Sequence, residues 1–456
     1  MNNQPTATFR PQNPWLSGPV TLRELNELVK DGRITEILLG VPDMQGRLKG
    51  KIFNAPVFLE RMTGGTEMCA YILATDTNMT PLDGFTFAGW SQGFGDFLVK
   101  PQMDTARMLP HRPGTVLVLG TPVNADDTPL QVAPRHLVQT QLDRLTELGY
   151  RLKVGVEVEA VLYTQDESGR APVWSHNLDY ALQHRPLVTD FIHDLSSKLT
   201  DAGIPFEAIK TESAPGQVEV SFAYGAALHA CDDYSVFRDI ARDVAGRRRM
   251  VPVFMAAPET GTGSGLHLHL SLWNEHDDPC FTHHHGQQLP PLMQQALAGL
   301  LSALPHMAPL YAPTVNSYKR YRPHSFAPTR YNWGYDHRGC AIRVTGHRDS
   351  TRLEVRLAGA DANIYLALAV YLAAMVHGIE EKLPLRAACD GDAYTDRSSI
   401  PLYADLSEAL QHFEHSTLAD TLLGKEVVDH YARAAHAELD WHRRHVTDHE
   451  RQHGFR

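Results

Sequence analysis

The sequence of 456 residues predicts an α+β protein with a smaller amino-terminal domain and a larger carboxyl-terminal one. Two observations predict this class. Short apolar strands separated by turns dominate the first part of the chain, and strands alternate with amphipathic helices in the rest. The content of 43% hydrophobic and 21% charged residues is typical of a globular protein with a sizeable core.

The amino-terminal region begins with a segment, residues 1–17, that contains three prolines and is predicted to be a flexible tail. Thr21 and Glu24 have the spacing of a capping box, which predicts a helix that ends near Gly32. Strands are predicted at 34–41, 47–53 and 116–119. These elements predict a domain over 18–130, followed by a second domain over 131–456.

The second domain opens with a predicted amphipathic helix over 134–149. The most apolar stretch, 365–379, is shorter than the roughly 20 residues that span a bilayer, so it predicts a buried helix. The amino terminus lacks the pattern of a secretory signal, and we expect a cytoplasmic protein without a membrane partner. A net charge of -11 with no basic stripe argues against nucleic-acid binding.

Four predicted strands in this domain alternate apolar and chemically reactive side chains. One such strand is usually an ordinary strand with a solvated face, but four together indicate a shared polar site. The polar positions are Glu157 and Glu159 in 152–159, Glu219 in 217–222, His267, His269 and Ser271 in 266–272, and Arg352, Glu354 and Arg356 in 352–357.

Carboxylates gathered on one face would require cations, and oxygen-rich ligation with imidazole suits Mg²⁺ or Mn²⁺ better than Zn²⁺. Arginines exceed what the strands need, which indicates an anionic substrate with phosphoryl or carboxylate groups. The sequence contains no P-loop, and the glycine-rich stretch 261–265 leads into a strand rather than a helix, so it is no dinucleotide fingerprint. The residues alone therefore predict a divalent-metal enzyme that handles a phosphorylated, carboxylate-bearing substrate.

The chain resembles the glutamine synthetase family from about Thr21 to its carboxyl end. Several motifs in the family's order carry this resemblance: 155–159, Glu212 with 215–219, 263–271, 316–320, 327–328, 337–343 and 352–356. The resemblance implies a β-grasp amino-terminal domain and a catalytic domain built on an antiparallel half-barrel sheet. It also implies a homo-oligomer, most simply a dodecamer of two hexameric rings, whose active sites are shared between subunits.

The resemblance further implies roles for individual residues in making γ-glutamyl phosphate from ATP and L-glutamate. Two or more ions of Mg²⁺ or Mn²⁺ are expected, one held by Glu159, Glu212 and Glu219, and another by Glu157, His267 and Glu354. The nucleotide side corresponds to Tyr224, His269, Ser271, Arg343 and Arg352, and the transferred phosphoryl group to Arg338. Glutamate is expected at Gly263, Arg320 and Arg356.

One position departs from the ammonia-using members of the family. These carry a glutamate on a mobile flap, and Phe326 stands there, six residues after Arg320 and directly before Ala327. Phenylalanine has no charge for an ammonium ion but offers an apolar wall for an alkyl group. The acids that accept the amine's proton correspond to Asp83 and Asp96, which are retained.

Three functions remain open at this point. The first is a ligase that joins glutamate to ethanolamine, a short alkylamine or a polyamine, similar to the γ-glutamylpolyamine, γ-glutamylethanolamide and γ-glutamylmethylamide synthetases. The second is a glutamine synthetase that uses ammonia. The third is a non-catalytic structural or regulatory protein, which the six intact ligand positions disfavour, whereas Phe326 separates the first two.

Overall fold

The computed structural model describes residues 18–166, 169–284 and 286–455. The predicted tail, residues 1–17, lies outside the described residues. Helices and strands in the described part are organised around two large sheets that follow one another along the chain, which confirms the α+β class.

The first sheet is formed by the amino-terminal strands. These are β1 (Glu36–Pro42), β2 (Leu48–Asn54), β3 (Thr66–Cys69), β4 (Asp96–Met108) and β5 (Thr115–Val123). Their order across the sheet is β2-β1-β5-β4-β3, with β1 and β5 parallel and the other neighbours antiparallel. The predicted strands 34–41, 47–53 and 116–119 are confirmed as β1, β2 and β5, whereas β3 and β4 were not predicted. The β-grasp description of this region stays a prediction.

The second sheet contains the polar strands. Its members are β6 (Arg151–Asp166), β7 (Gly169–Pro172), β8 (Phe206–Thr211), β9 (Gln217–Ala226), β10 (Met250–Val253), β11 (Leu266–Trp273), β13 (Trp333–Tyr335), β14 (Ile342–Thr345) and β15 (Arg352–Val355). A separate small pair joins β12 (Arg330–Tyr331) to β16 (Ile400–Pro401). The main path is β13-β14-β15-β11-β6-β9-β8, and β7 and β10 also pair with β6. Neighbouring strands are antiparallel except for β13 and β14, which are parallel. The sheet is therefore not fully antiparallel, in contrast to the expected half-barrel.

Helices surround the two sheets. They are α1 (Leu22–Lys30), α2 (Ala55–Val57), α3 (Pro134–Glu147), α4 (Pro186–Asp201), α5 (Ala227–Gly246), α6 (Pro291–Ala303), α7 (Ile364–Glu380), α8 (Leu406–Glu414), α9 (Thr417–Leu423), α10 (Lys425–Arg444) and α11 (Asp448–Gly454). The Thr21–Glu24 capping box begins α1 as predicted, and α3 and α7 confirm the helices expected at 134–149 and 365–379.

Helix α7 is the most buried of the described helices around the second sheet. It packs against α6 at a crossing made by Gly299 and Gly378, where a side chain on Gly299 would come within 2.1 Å of the Ala374 carbonyl oxygen. Its apolar character therefore reflects burial in the protein core. Among the described helices, none has both the length and the apolar character needed to cross a bilayer.

The two sheet regions are joined by polar contacts as well as by apolar packing. Asn363, at the start of α7, donates through Nδ2 to the carbonyl oxygens of Asp43 and Met44, each at 3.1 Å. Arg107 of β4 forms an ion pair of 2.5 Å with Asp233 of α5, and both side chains are largely buried. These contacts fix the amino-terminal sheet against helices α5 and α7 of the second sheet region. The domain ranges 18–130 and 131–456 stay a prediction.

Candidate active site

The four polar strands predicted from the sequence are consecutive neighbours in the sheet, in the order β15-β11-β6-β9. Their register places reactive side chains side by side. Glu157 pairs with His267, Glu159 pairs with Glu219, and His269 pairs with Glu354. Because paired residues of adjacent strands point to the same face, one surface of the sheet collects carboxylates and imidazoles.

A first acidic cluster is formed by Glu159, Glu212 and Glu219, whose carboxylate oxygens lie within 4.8 Å of one another. Glu159 accepts hydrogen bonds at Oε2 from the Gln217 side chain (2.9 Å) and the Gly265 amide (3.0 Å). Gly265 is required here because a side chain would come within 2.4 Å of the His267 ring. The sequence grouped these three glutamates, and the fold brings them together.

A second cluster joins Glu157 and Glu354 to imidazoles. Glu157, His269 and Glu354 offer ligand atoms within 4.8 Å of one another. His267, the predicted ligand, places Nδ1 at 3.5 Å from Glu157 and 3.6 Å from Glu354. His269 places Nε2 at 3.0 Å from Glu157, while its Nδ1 accepts from Arg352. Both imidazoles therefore face the same carboxylate, and the choice of His267 over His269 as ligand stays a prediction.

The pKa shifts indicate that this face is built for cations. Burial and the charge of Glu157 raise the pKa of Glu219 to about 9, and burial with the charge of Glu212 raises that of Glu159. Burial and Arg356 lower the pKa of His267 to about 4, so its imidazole is neutral at neutral pH, the form that binds metals. Carboxylates that repel one another and a neutral imidazole fit divalent ions with oxygen-rich ligation.

Arginines compensate part of the charge. Arg343 donates through Nη1 to Glu354 at 3.0 Å, and Arg356 pairs with the other oxygen of the same carboxylate. Burial opposes ionisation of Glu354, but Arg356 and His267 outweigh burial and lower its pKa to about 2. Arg356 also donates to the carbonyl oxygen of Phe326 at 3.2 Å. This pairing fixes the position of the guanidinium groups beside the acidic clusters.

Arg320 is deeply buried, with 4% of its surface exposed. Its Nη1 donates to the carbonyl oxygens of Arg356 (3.1 Å) and Leu357 (3.3 Å), and its Nη2 lies 3.2 Å from His267 Nε2. Gly263, the other predicted glutamate contact, lies directly against the Arg320 stem. Arg320 is therefore held by main-chain carbonyl oxygens beside His267, and its contact with glutamate stays a prediction.

The clusters open into a cavity of about 450 Å³. Phe326, which is 68% exposed, and Arg338 stand in its wall together with both groups of acidic residues. Phe326 adopts a positive φ of 59°, an uncommon conformation for a bulky residue. The residue that departs from the family pattern thus contributes to the same cavity as the metal-binding candidates.

A second cavity, of about 460 Å³, adjoins the first through Glu157. It is lined by the predicted nucleotide contacts Tyr224, His269, Ser271 and Arg352. Tyr224 is 57% exposed and lies nearly parallel to the Trp273 ring, with 6.1 Å between ring centres. The face of an exposed aromatic ring suits stacking of a nucleobase.

Three further residues of the first cavity were missed by the sequence reasoning: Asp179, Tyr180 and Lys210. Lys210 of β8 donates to Glu212, and its Nζ lies 4.5 Å from the centre of the Tyr180 ring. Burial disfavours the charged form of Lys210, but Glu212 and Glu219 outweigh burial and raise its pKa. Lys210 pairs with Glu219 across β8 and β9, so a predicted strand beside Glu219 could have indicated Lys210 as a site residue. The loop around Tyr180 has no periodic pattern and gives no such indication.

Asp83 and Asp96 lie apart from this cavity, on exposed parts of the amino-terminal region. Asp83 accepts a hydrogen bond at Oδ1 from the Trp90 amide at 3.1 Å, and its carbonyl oxygen accepts from Arg433 at 2.7 Å. Asp96 begins β4. A single chain therefore does not place these acids in the wall of this cavity.

Comparison with known proteins agrees with this geometry. Residues 131–453 match the family model of the glutamine synthetase catalytic domain. The chain belongs to the glutamine synthetase family. The resemblance stated from its motifs is thereby confirmed. Members of this family use ATP and divalent metal ions.

Two relatives of the chain are named as γ-glutamyl–amine ligases. The chain is 39% identical to a γ-glutamylethanolamide synthetase of Streptomyces coelicolor over 447 residues, 96% of both chains. It is 30% identical to a glutamate–isopropylamine ligase of a Pseudomonas species over 424 residues, 90% of this chain and 92% of the relative. A solved structure described as a GmaS/ADP complex aligns with a TM-score of 0.82 and 26% identity, covering 94% of this chain and 98% of the other. The predicted fold class is confirmed by this match.

We predict that Glu219→Gln removes divalent-ion binding, because it deletes a charge from the first acidic cluster while keeping the size of the side chain. ATP-dependent phosphate release should fall by at least about a hundredfold. Calorimetric titration with Mn²⁺ should show the loss of one binding event per chain. The matched control is Glu275→Gln, at an exposed glutamate outside the cavity. Near-normal turnover and Mn²⁺ binding by Glu219→Gln would contradict the assignment.

Proposed function

We propose that this chain is an ATP-dependent ligase that joins the γ-carboxylate of L-glutamate to a small primary amine through γ-glutamyl phosphate. The observation that carries the proposal is Phe326 in the wall of the cavity that contains both acidic clusters. An apolar ring at this position suits an alkyl substituent on the acceptor. Relatives that act on ethanolamine and isopropylamine support the same class of acceptor.

In the first step of the proposed reaction, a γ-carboxylate oxygen of glutamate attacks the γ-phosphorus of ATP and ADP leaves. Arg338 offsets charge on the transferring group, and Arg356 holds the substrate carboxylate. Two or more ions of Mg²⁺ or Mn²⁺, bound by the two clusters, would neutralise phosphate charge during the transfer. Tyr224, His269, Ser271, Arg343 and Arg352 hold the nucleotide.

In the second step, the amine nitrogen attacks the acyl carbon of γ-glutamyl phosphate and inorganic phosphate leaves. The amine must first lose a proton, and Asp83 with the support of Asp96 accepts it. The products are the γ-glutamyl amide, ADP and phosphate. We also propose that the enzyme acts in the cytoplasm.

The acceptor preference follows from the surface of Phe326. Burying apolar surface contributes about 25 cal/mol per Å², so a two-carbon substituent against the ring gains roughly 1–2 kcal/mol, or about tenfold over ammonia. Ammonia has no apolar group with which to gain this contact. The enzyme should therefore select an amine with a short uncharged tail.

We predict that wild-type enzyme releases phosphate faster with ethanolamine or a short alkylamine than with ammonia, at equal concentrations. Phe326→Glu should move the preference towards ammonia by about tenfold, because it replaces the apolar wall with a carboxylate. Phe326→Leu is the matched control, which keeps an apolar side chain and should keep the amine preference. The assay is phosphate release across ammonia, methylamine, ethanolamine and isopropylamine. A wild type that prefers ammonia, unchanged by Phe326→Glu, would make the enzyme a glutamine synthetase.

We further propose a ring homo-oligomer, in the form of a dodecamer of two hexamers, in which Asp83 and Asp96 of one subunit complete the site of its neighbour. Support comes from their exposure, and neither aspartate lines the cavity of its own chain. Sedimentation of the purified protein measures the oligomer size. A fully active monomer would exclude the proposal.

We predict that two inactive variants complement one another in mixed oligomers. An Asp83→Asn subunit lacks the carboxylate that completes the site of its neighbour. A Glu219→Gln subunit lacks a metal ligand in its own site. In random one-to-one mixtures, half of the sites keep Glu219 and half of those receive Asp83, so about a quarter regain activity. Co-expressed variants should thus recover activity that each lacks alone. No recovery in confirmed mixed oligomers would mean that Asp83 acts within its own chain.

A further inference from the structure

Lys210 introduces a fixed positive charge into the cavity that contains Phe326. Its ammonium group donates a hydrogen bond to Glu212 and lies 3.9 Å from a carboxylate oxygen of Glu219. It also lies 3.7 Å from Asp179 Oδ1. The side chain is 20% exposed, so the charge faces the cavity and not bulk solvent.

Asp179 differs from the other acidic residues of the cavity wall because it is not a predicted metal ligand. The other carboxylates that line the cavity in the described chain, Glu157, Glu159, Glu212, Glu219 and Glu354, are the predicted metal ligands. Asp179 is therefore the carboxylate of this wall that remains for a second positive charge on a substrate. Lys210 already supplies that charge.

Tyr180 completes the environment of Lys210. The ammonium group lies over the Tyr180 ring at 4.5 Å from its centre, within the range of a cation–π interaction. A divalent ion bound by Glu212 and Glu219 would repel the ammonium group towards Asp179 and Tyr180. A bound metal ion would therefore strengthen the pairing of Lys210 with Asp179, the carboxylate that a substrate would otherwise use.

We propose that Lys210 is a specificity-determining residue that selects acceptor amines with an uncharged tail. It neutralises Asp179 and repels the second ammonium group of a diamine, while a neutral alkyl or hydroxyalkyl tail meets no such penalty. This inference rests on the proposed ligase function and adds the charge of the acceptor to it. Phe326 favours an apolar tail, and Lys210 excludes a cationic one.

The test compares two acceptors of equal length, butylamine and 1,4-diaminobutane, by their ratio of kcat/KM. Both amines use the same ATP, glutamate and metal sites, so a change in metal binding cancels in the ratio. Wild-type enzyme should prefer butylamine by about tenfold or more. Lys210→Met, which keeps the length of the side chain without its charge, should shift the ratio towards the diamine by a similar factor. Lys210→Arg is the matched control and should keep the wild-type ratio.

A second variant identifies the carboxylate. Adding Asp179→Asn to Lys210→Met should remove the gained diamine activity, because the freed acid is then absent. The role of Lys210 would be overturned if the wild-type enzyme preferred the diamine. It would also be overturned if Lys210→Met were active with butylamine and kept the wild-type ratio of kcat/KM between butylamine and 1,4-diaminobutane. Either outcome would leave the ligase function intact. Turnover with ammonia alone would overturn both. If Lys210→Met does not fold, the same kcat/KM ratio measured for Lys210→Gln and for the wild-type enzyme tests the role of Lys210.

Discussion

The site depends on compensation of negative charge on one face of the second sheet. Strand β6 places Glu157 and Glu159 two residues apart, and its neighbour β9 adds Glu219 beside them. Glu354 lies on β15, two strands from β6, with β11 between them. Buried carboxylates so close together are costly unless cations accompany them. Arginines, Lys210 and the proposed divalent ions meet this need, so the site's chemistry and its stability have the same origin.

Two buried arginines of the site have different partners. Arg320 donates to main-chain carbonyl oxygens and contacts the His267 ring. Arg356 connects the Glu354 carboxylate to the carbonyl oxygen of Phe326, so the acceptor wall is linked directly to the second cluster. A substitution at Phe326 that moved its main chain would therefore also disturb the Glu354 carboxylate.

Much of this site was predictable because alternation along a strand determines which side chains share a face. Glu157 and Glu159 were grouped with Glu219 and Glu354 on that basis. The same period of two places His267 and His269 on one face and cannot tell which of them binds a metal. Asp179 and Tyr180 lie in a loop without a period, and the depth of Arg320 is set by tertiary packing, so local sequence patterns give no signal for either. Strands β3 and β4 were missed for a similar reason, since β3 has only four residues and a register shift between Gln102 and Arg107 interrupts the regular pairing of β4.

The central claim is that this charged face transfers phosphate to the γ-carboxylate of glutamate before the amine attacks. The most direct measurement uses glutamate labelled with oxygen-18 in the γ-carboxylate, together with ATP and the preferred amine, and mass analysis of the phosphate released. An acyl phosphate leaves its bridging oxygen on the phosphate, so each phosphate should carry one labelled oxygen atom. Phosphate without the label, formed at the same rate as the amide, would contradict the account, since water would then be the acceptor of the phosphoryl group.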